Sequence, residues 1–527
     1  MQLEIQRKKI HSLIYFWGLV LVGISLPVSP FLLSVSILGL SLNWILEGGF
    51  VRKLKILWHR KSVIAILSIY ILQIIGLLYS KDLSYGLQDS KIKLPLLALP
   101  LIVGTSEFIS LKKIKVILQF FIASVFVGTI ISSVAYLLMK QTYLPDTRRI
   151  SLIISHIRFS LLIDLSVFIC LYFSLFKTFQ VRNHEKIIYL PAAGWFILFQ
   201  LILQSFTGIW ILMVLLPVVL ISWAFNQKKI WVRASVIIFL SGGLSLILAV
   251  TYSAYSKFYP PPSINRKSLE KFTAQGNLYS QNTDNNILEN GHYVYLNICE
   301  KELREEWNRL SNIDYDGTDR KGQSLKQTLI RYLTSKGLYK DSAGLAKLKP
   351  EDISMIEDGY SNYIFSRHLG IYPRIYQFFW ELDVYLKTGS SGGHSLSQRI
   401  EYLKNGMEII RKNFWYGVGT GDVKLEYDNQ YEISDSKLEK ELRLRAHNQF
   451  VTFFITFGIV GFTWILLAFG YTLWHEKKWQ DLPAIAFLLI AFLSMFNEDT
   501  LETQAGVSFF AFFFSLFVFG YKKESKY

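Results

Sequence analysis

The stretch HNQFVTFFITFGIVG, residues 447–461, sets a histidine directly against a long apolar run. His447 carries the side chain that gains and loses a proton most readily near neutral pH, and a neutral imidazole is the form a general base needs. Arg443 and Arg445 just upstream, together with the positive end of the helix, disfavour imidazolium. Eleven residues on, at about 100° per residue, Gly458 falls about 20° from His447, and Gly461 lies on nearly the same face. Glycines on one face let a neighbouring membrane helix approach closely, which predicts that His447 tops a tightly packed seam. The plainer alternative is an interfacial histidine that caps the helix together with Asn448.

Three arginines are candidates for holding an anion. Arg399 lies in the first turn of a predicted helix over 396–412, where Ser395 and Gln398 match a capping box and Leu396, Ile400, Leu403, Met407 and Ile410 form an apolar stripe. A cation there opposes the helix dipole, so local stability does not select it. Exposed N–H groups beside a guanidinium fork suit phosphate oxygens. The competing reading is a surface arginine whose stem covers apolar neighbours. Arg158 and Asp164 stand in SHIRFSLLIDL, inside an apolar segment, where ionisable groups are costly and count as functional candidates. Their spacing puts them on different faces. Arg158 is the anion candidate, with snorkelling as its alternative, and Asp164 is expected to be a structural hydrogen-bond partner. Arg445 is the third arginine, close in sequence to His447.

Other signals are weak. GVGTGD lacks the spacing and context of a dinucleotide loop, and GSSGGHS before the 396–412 helix looks like a hinge. NIDYDGTD imitates the start of a calcium loop through Asn312, Asp314, Asp316 and Gly317, but Gln323 stands where a bidentate glutamate is needed. Cys170 and Cys299 are the only cysteines, so neither a disulfide framework nor a metal site rests on them. No metal and no cofactor is expected.

The elements that position these residues are membrane helices. The chain has 527 residues, 51% hydrophobic, which is too apolar for a soluble enzyme of this length. About twelve segments are apolar enough to span: 12–28, 31–46, 62–79, 94–110, 116–139, 157–176, 188–204, 206–225, 232–255, 447–473, 480–496 and 505–521. With the N-terminus inside, 22 Lys and Arg fall on inner loops and ends, against six (Lys81, Lys91, Lys93, Lys140, Arg148, Arg149) on short outer loops, so both termini are expected in the cytoplasm. The net charge of +16 is largely this topological signal rather than a nucleic-acid footprint. The reading is all-α and polytopic: a membrane domain over 1–255, an extracytoplasmic, mainly helical domain over 256–446, and a second membrane part over 447–527. Helices are predicted in KELREEWNRL, SLKQTLIRYLTSKG and KPEDISMIEDGYSNYIF.

The sequence resembles the O-antigen ligases and related polymerases. HNQFVTFFITFGIVG fits their His-Asn, nine residues, Gly-x-x-Gly pattern, RIEYL from Arg399 fits their Arg-x-x-x-Leu motif, and NFWYGVGTGD resembles the turn between the two. The insert from about 260 to 390 departs from the family. The resemblance implies a bacterial inner-membrane enzyme with its site on the periplasmic face. It implies inverting, metal-independent transfer of a glycan from a polyprenyl diphosphate carrier to an acceptor, foremost a lipid A core sugar. Arg399 and Arg158, with Arg445 near, would hold the diphosphate, and His447 would take the acceptor proton. A polymerase, or a transferase to protein hydroxyls, would use similar motifs. From another class, a small-anion transporter would use Arg158 and Asp164 on its path, but it would favour repeated halves and interrupted helices that are not evident.

Overall fold

The computed structural model describes the chain except for residue 1 and residues 141–149, 180, 260–268, 367–370, 390–394, 437 and 523–527. The expectations that fall on Arg148, Arg149, most of the GSSGGHS segment and the capping side chain of Ser395 lie outside the described residues. The protein is an all-α polytopic membrane protein. Among the described residues, eight helices are long and apolar enough to cross a membrane: Glu4–Val28, Pro30–Glu47, Leu111–Leu138, His156–Leu175, Asn183–Leu203, Phe206–Phe225, Ile230–Ser256 and Gln449–His475. A ninth candidate is the pair Phe50–His59 and Lys61–Leu77, bent by 96°.

The rest of the twelve expected segments are helical but short. Segment 94–110 holds the helix Pro95–Thr105, whose 11 residues rise only about 16 Å. That is about half a hydrocarbon thickness. Leu482–Asn497 and Gln504–Phe519 are also apolar and short. A hydropathy window over 94–110 counts apolar residues on both sides of a helix end and so overstates the length of the helix.

By contacts the chain divides into two compact units, one of residues 1–237 with 398–527 and the other of residues 238–397. In the first, the helix His156–Leu175 is the hub. It packs against Asn183–Leu203, Phe206–Phe225, Leu482–Asn497 and Leu111–Lys140, and nearly every residue from Arg158 to Phe173 is buried. Such all-round burial suits its lack of an amphipathic face. Asp164 lies on this hub, fully buried, and neither carboxyl oxygen has a hydrogen-bond partner among the described residues. The expectation of a structural hydrogen bond for Asp164 is therefore corrected: no such bond forms among the described residues.

Polar ties close the helix ends on the basic side. Arg60 donates Nε and Nη2 to the two Glu476 oxygens at 2.8 and 3.0 Å and reaches the carbonyls of Gly104 and Phe519 at 3.2 Å. Lys53 is buried, paired with Glu47 at 2.7 Å and seated 4.5 Å from the Trp44 ring.

The unit of residues 238–397 has its own core around Leu303, Trp307, Leu329, Leu333 and Ile356. The three expected soluble helices form as Glu300–Leu310, Leu325–Ser335 and Pro350–Glu357, the last followed by a 3-10 turn over Tyr363–Ser366. The strands Leu288–Glu289 and His292–Tyr293 pair antiparallel. In the calcium-like stretch Asp316 is given to Arg304 at 2.7 and 3.0 Å, and the Asp314 side chain accepts the Asp316 amide at 2.8 Å. These carboxylates organise a turn rather than converge on a cation.

Because Asp164 gains nothing from charge, Asp164→Asn is expected to leave the melting temperature of the detergent-solubilised protein unchanged or higher. A clear drop would reveal a partner for the carboxylate.

Candidate functional site

The sequence brings His447 to a helix mouth, and the backbone there explains its exact pose. Asn448 caps Gln449–His475, accepting the amides of Phe450 and Val451 at 3.0 and 3.1 Å. His447 precedes the cap with φ of 48°, a left-handed conformation uncommon outside glycine and asparagine. That turn swings the imidazole off the helix axis onto Tyr402, whose ring stacks on it at 5.5 Å between centroids. Tyr402 is itself held by donating to the Leu442 carbonyl at 2.7 Å. Tyr402 lies one turn beyond Arg399 in the helix Ser395–Lys412. The buried face of that helix runs through Tyr402, Ile409 and Ile410, while Met407 is 47% exposed. The predicted apolar stripe was thus rotated, because an aromatic with a polar tip and the small Gly406 turned out to face inward.

The residue that gathers the others is Glu498. It follows the helix Leu482–Asn497 in extended conformation, just before the 3-10 turn Thr500–Glu502 and the cap Thr503 of the next helix. Its side chain is 4% exposed. Arg399 donates Nη2 to one oxygen at 2.5 Å, His447 Nδ1 lies 3.3 Å from the other, and Arg158 Nη1 stands 4.0 Å away. Burial raises the Glu498 carboxyl, but the His447 hydrogen bond and the charges of Arg399, His447 and Arg158 outweigh it and hold the group below the usual carboxylate range. An ionised carboxylate only accepts hydrogen bonds. In the neutral imidazole the His447 proton then belongs on Nδ1, which leaves the lone pair on Nε2.

Arg158 sits at the start of the hub helix, with Nε on Thr503 Oγ1 at 3.1 Å and Nη2 on the Asp499 carbonyl at 3.0 Å. Its Nη1 is buried without a hydrogen-bond partner among the described residues. A fixed guanidinium with one unused donor, beside a second guanidinium, is suited to an anionic oxygen. The snorkelling alternative does not describe Arg158, which is 8% exposed and turned into the bundle.

Arg445 joins a separate network. It pairs with Glu502 at 2.7 Å and lies 5.5 Å over the Tyr85 ring. Glu502 also takes Lys93 at 2.9 Å, and Lys93 takes Asp89 at 2.8 Å. Burial raises the Glu502 carboxyl, yet the Lys93 and Arg445 charges bring it far below its ordinary value. Gln449 accepts the Leu501 amide at 2.7 Å and donates to Glu502 at 2.9 Å, while Thr452 donates to Asp499 at 2.7 Å. The first turn of the histidine helix is thereby pinned to the 498–503 turn. Arg443 is occupied by Glu432, so the positive field that the sequence placed around His447 is largely answered by carboxylates.

The glycines act differently from the expectation. Gly458 breaks the helix Gln449–His475, with φ of 62° and ψ of −171°. The gap is filled by the turn after Lys412: Ile459 N donates to the Phe414 carbonyl at 2.8 Å, and Val418 N and Gly419 N donate to Ile455 and Thr456 carbonyls at 2.8 and 2.9 Å. A Cβ on Gly458 would lie 2.3 Å from Trp415 backbone. Gly461 alone serves helix approach, with Leu72 at 3.2 Å from its would-be Cβ. The loop GVGTGD is therefore a wedge that locks the kink, and its Asp422 accepts the amides of Lys81 and Asp82 at 2.9 to 3.0 Å.

Glu498, Asp499 and Thr503 are absent from the sequence-based set. Their signal was legible, since NEDTLETQ places three acids between two apolar helices. What was missing was a partner in sight along the chain: Arg399 is 99 positions away and Arg158 further.

Fold and site together define a multi-pass helical membrane protein with two arginines and a histidine gathered on one buried carboxylate at the ends of its helices. Residues 362–467 match the family model of the O-antigen ligases. The matched stretch contains Arg399, His447, Asn448, Gly458 and Gly461 but neither Arg158 nor Glu498. The family points to a glycosyltransferase-type enzyme acting on lipid-linked glycan and acceptor substrates. No curated protein matches the chain.

Two variants test the framework. Glu502→Ala leaves buried Lys93 without one of its two acids and removes the carboxylate that Arg445 is paired with, and is expected to destabilise by about 3–5 kcal/mol in detergent unfolding. Gly458→Ala is expected to cost at least ~2 kcal/mol and to impair folding, because left-handed backbone and a clash coincide. Wild-type melting behaviour in either variant would refute the corresponding contact.

Proposed function

We propose that the protein transfers a glycan from a polyprenyl diphosphate carrier to an acceptor hydroxyl on the periplasmic face of the inner membrane, with inversion and without a metal, and that the acceptor is a lipid A core sugar. The observation that carries the reading is the convergence of Arg399, Arg158 and His447 on one buried carboxylate, Glu498. The helix that His447 opens runs 27 residues, broken at Gly458, to the basic end at Glu476. That span supports putting the histidine at the face opposite the lysine-rich loops, where positive charge marks the cytoplasm.

The chemistry follows from the groups. The acceptor hydroxyl forms a bond to the anomeric carbon as the bond from that carbon to the diphosphate oxygen breaks. Its proton goes to His447 Nε2, and Glu498 stabilises the resulting imidazolium through Nδ1, as an acid does for histidine in hydrolytic triads. The leaving diphosphate gains negative charge. Arg399 and the unused Nη1 of Arg158 take that charge in a partly dry site, where such contacts are worth most. Two guanidiniums can do this without a cation such as magnesium. Arg445, already given to Glu502, contributes field and bracing rather than a direct contact.

The test is transfer in vitro from a lipid-diphosphate glycan to a panel of acceptors, with and without chelator. His447→Ala and Arg399→Ala are each expected to lower turnover by ~10³-fold or more while the protein inserts normally. Arg399→Lys is expected to be poor, since a point charge does not replace a fork. Glu498→Gln is expected to lower turnover by ~10²-fold or more, with Glu498→Asp partly active. Full activity in an alanine variant removes that residue from the mechanism, and loss of activity on chelation removes metal independence. Accumulation of long lipid-linked chains in a deletion strain supports ligation, whereas loss of the long chains themselves favours polymerisation.

A further inference from the structure

A cavity of about 2130 Å³ opens at the basic ends of the helices, remote from the histidine site. It is lined by the ends of Phe50–His59, His156–Leu175, Phe206–Phe225 and Gln449–His475 and by the chain around Tyr521. Its acids are already committed. Glu476 is held by Arg60 at 2.8 Å, Asp481 by Lys478 at 3.2 Å, and Glu107 faces Arg52 at 3.7 Å. Lys522 rests over the Phe108 ring at 4.8 Å. The ammonium groups of Lys55, Lys177 and Lys477, by contrast, have neither a carboxylate nor any other hydrogen-bond partner among the described residues, although all three line the same cavity. The opening therefore carries uncompensated positive charge from three different parts of the chain.

The walls are not those of a site for a small soluble anion. Leu175, Phe176, Leu482 and Ile485 line it as well, and Trp223 and Trp479 belong to its rim. Apolar walls beneath lysines, with tryptophan at helix ends, match the layering of a membrane boundary, where indoles favour the headgroup level. An amphiphile with an anionic head satisfies both halves of the lining. Basic pockets between helices on the cytoplasmic side have this chemistry for lipid headgroups.

We propose that this cavity binds an anionic phospholipid of the inner leaflet, with Lys55, Lys177 and Lys477 around its phosphodiester and the acyl chains along the apolar wall. The proposal is independent of the glycosyl-transfer reading, because none of these side chains belongs to the histidine site.

The experiment uses the full chain in detergent or phosphatidylcholine nanodiscs, titrated with phosphatidylglycerol and followed by native mass spectrometry and melting temperature. Phosphatidylglycerol is expected to bind and to raise the melting temperature, with inorganic phosphate at matched ionic strength failing to displace it. Each lysine neutralised in the series Lys55→Gln, Lys177→Gln and Lys477→Gln is expected to weaken binding about fivefold, from roughly 1 kcal/mol per basic side chain near an anionic surface. The triple arginine variant is expected to retain binding. Equal phosphatidylglycerol affinity in the triple glutamine variant overturns the proposal, as does displacement of the lipid by inorganic phosphate. The melting temperature of that variant in pure phosphatidylcholine, expected to equal wild type, separates loss of a site from loss of fold.

Discussion

A single buried carboxylate governs the site. Glu498 sits among two guanidiniums and an imidazole, and the two buried members, Glu498 and Arg158, need such partners to be tolerable out of water. An isolated carboxylate at 4% exposure would be costly, and so would Arg158 inside the bundle. Together they form a compensated cluster whose geometry is set by the helices that carry it. The cluster also fixes the histidine tautomer, which a free interfacial histidine would leave to solvent.

Around this cluster the protein repeats one device, the use of polar turns to lock helix ends. The 498–503 turn pins the first turn of the histidine helix through Gln449 and Thr452. The 413–422 turn fills the break at Gly458 and reaches Gln73 and Gly76 on the neighbouring helix through Thr420. At the other end Arg60 joins three helix ends at once. Membrane helices gain little from apolar contact with one another, so such polar ties and close glycine approaches carry the positional information. At the kink the Ile455 and Thr456 carbonyls are taken by the Val418 and Gly419 amides, as lipid surroundings demand of freed backbone groups.

Much of this was legible in residues alone, and the rest failed for identifiable reasons. His447, Asn448 and Arg399 stood out because a charged or titratable group beside an apolar run is improbable without cause. Gly458 was found but misassigned, since a helical wheel assumes the helix continues and cannot show a wedge entering from 413–422. The stripe of the 396–412 helix was misrotated because Tyr402 counts as apolar or polar according to what its hydroxyl meets. Glu498 was passed over because an acid at the end of an apolar segment has the look of a solvated loop until its partners are known. The length of the segment at 94–110 was overcounted because hydropathy does not register where a helix stops.

Local quantities were settled by the chain itself: the all-α membrane class, most of the spans, the lysine asymmetry and the two motif residues. Each depends on composition or on spacing within one helix, and both are readable from neighbours in sequence. The tertiary structure decided which carboxylate orients the histidine, which arginine keeps an unused donor, and where the helix breaks. Those depend on atoms separated by tens to hundreds of positions meeting within about 3 Å, and hydrogen bonds and ion pairs of that range exist only once packing has brought the helices together.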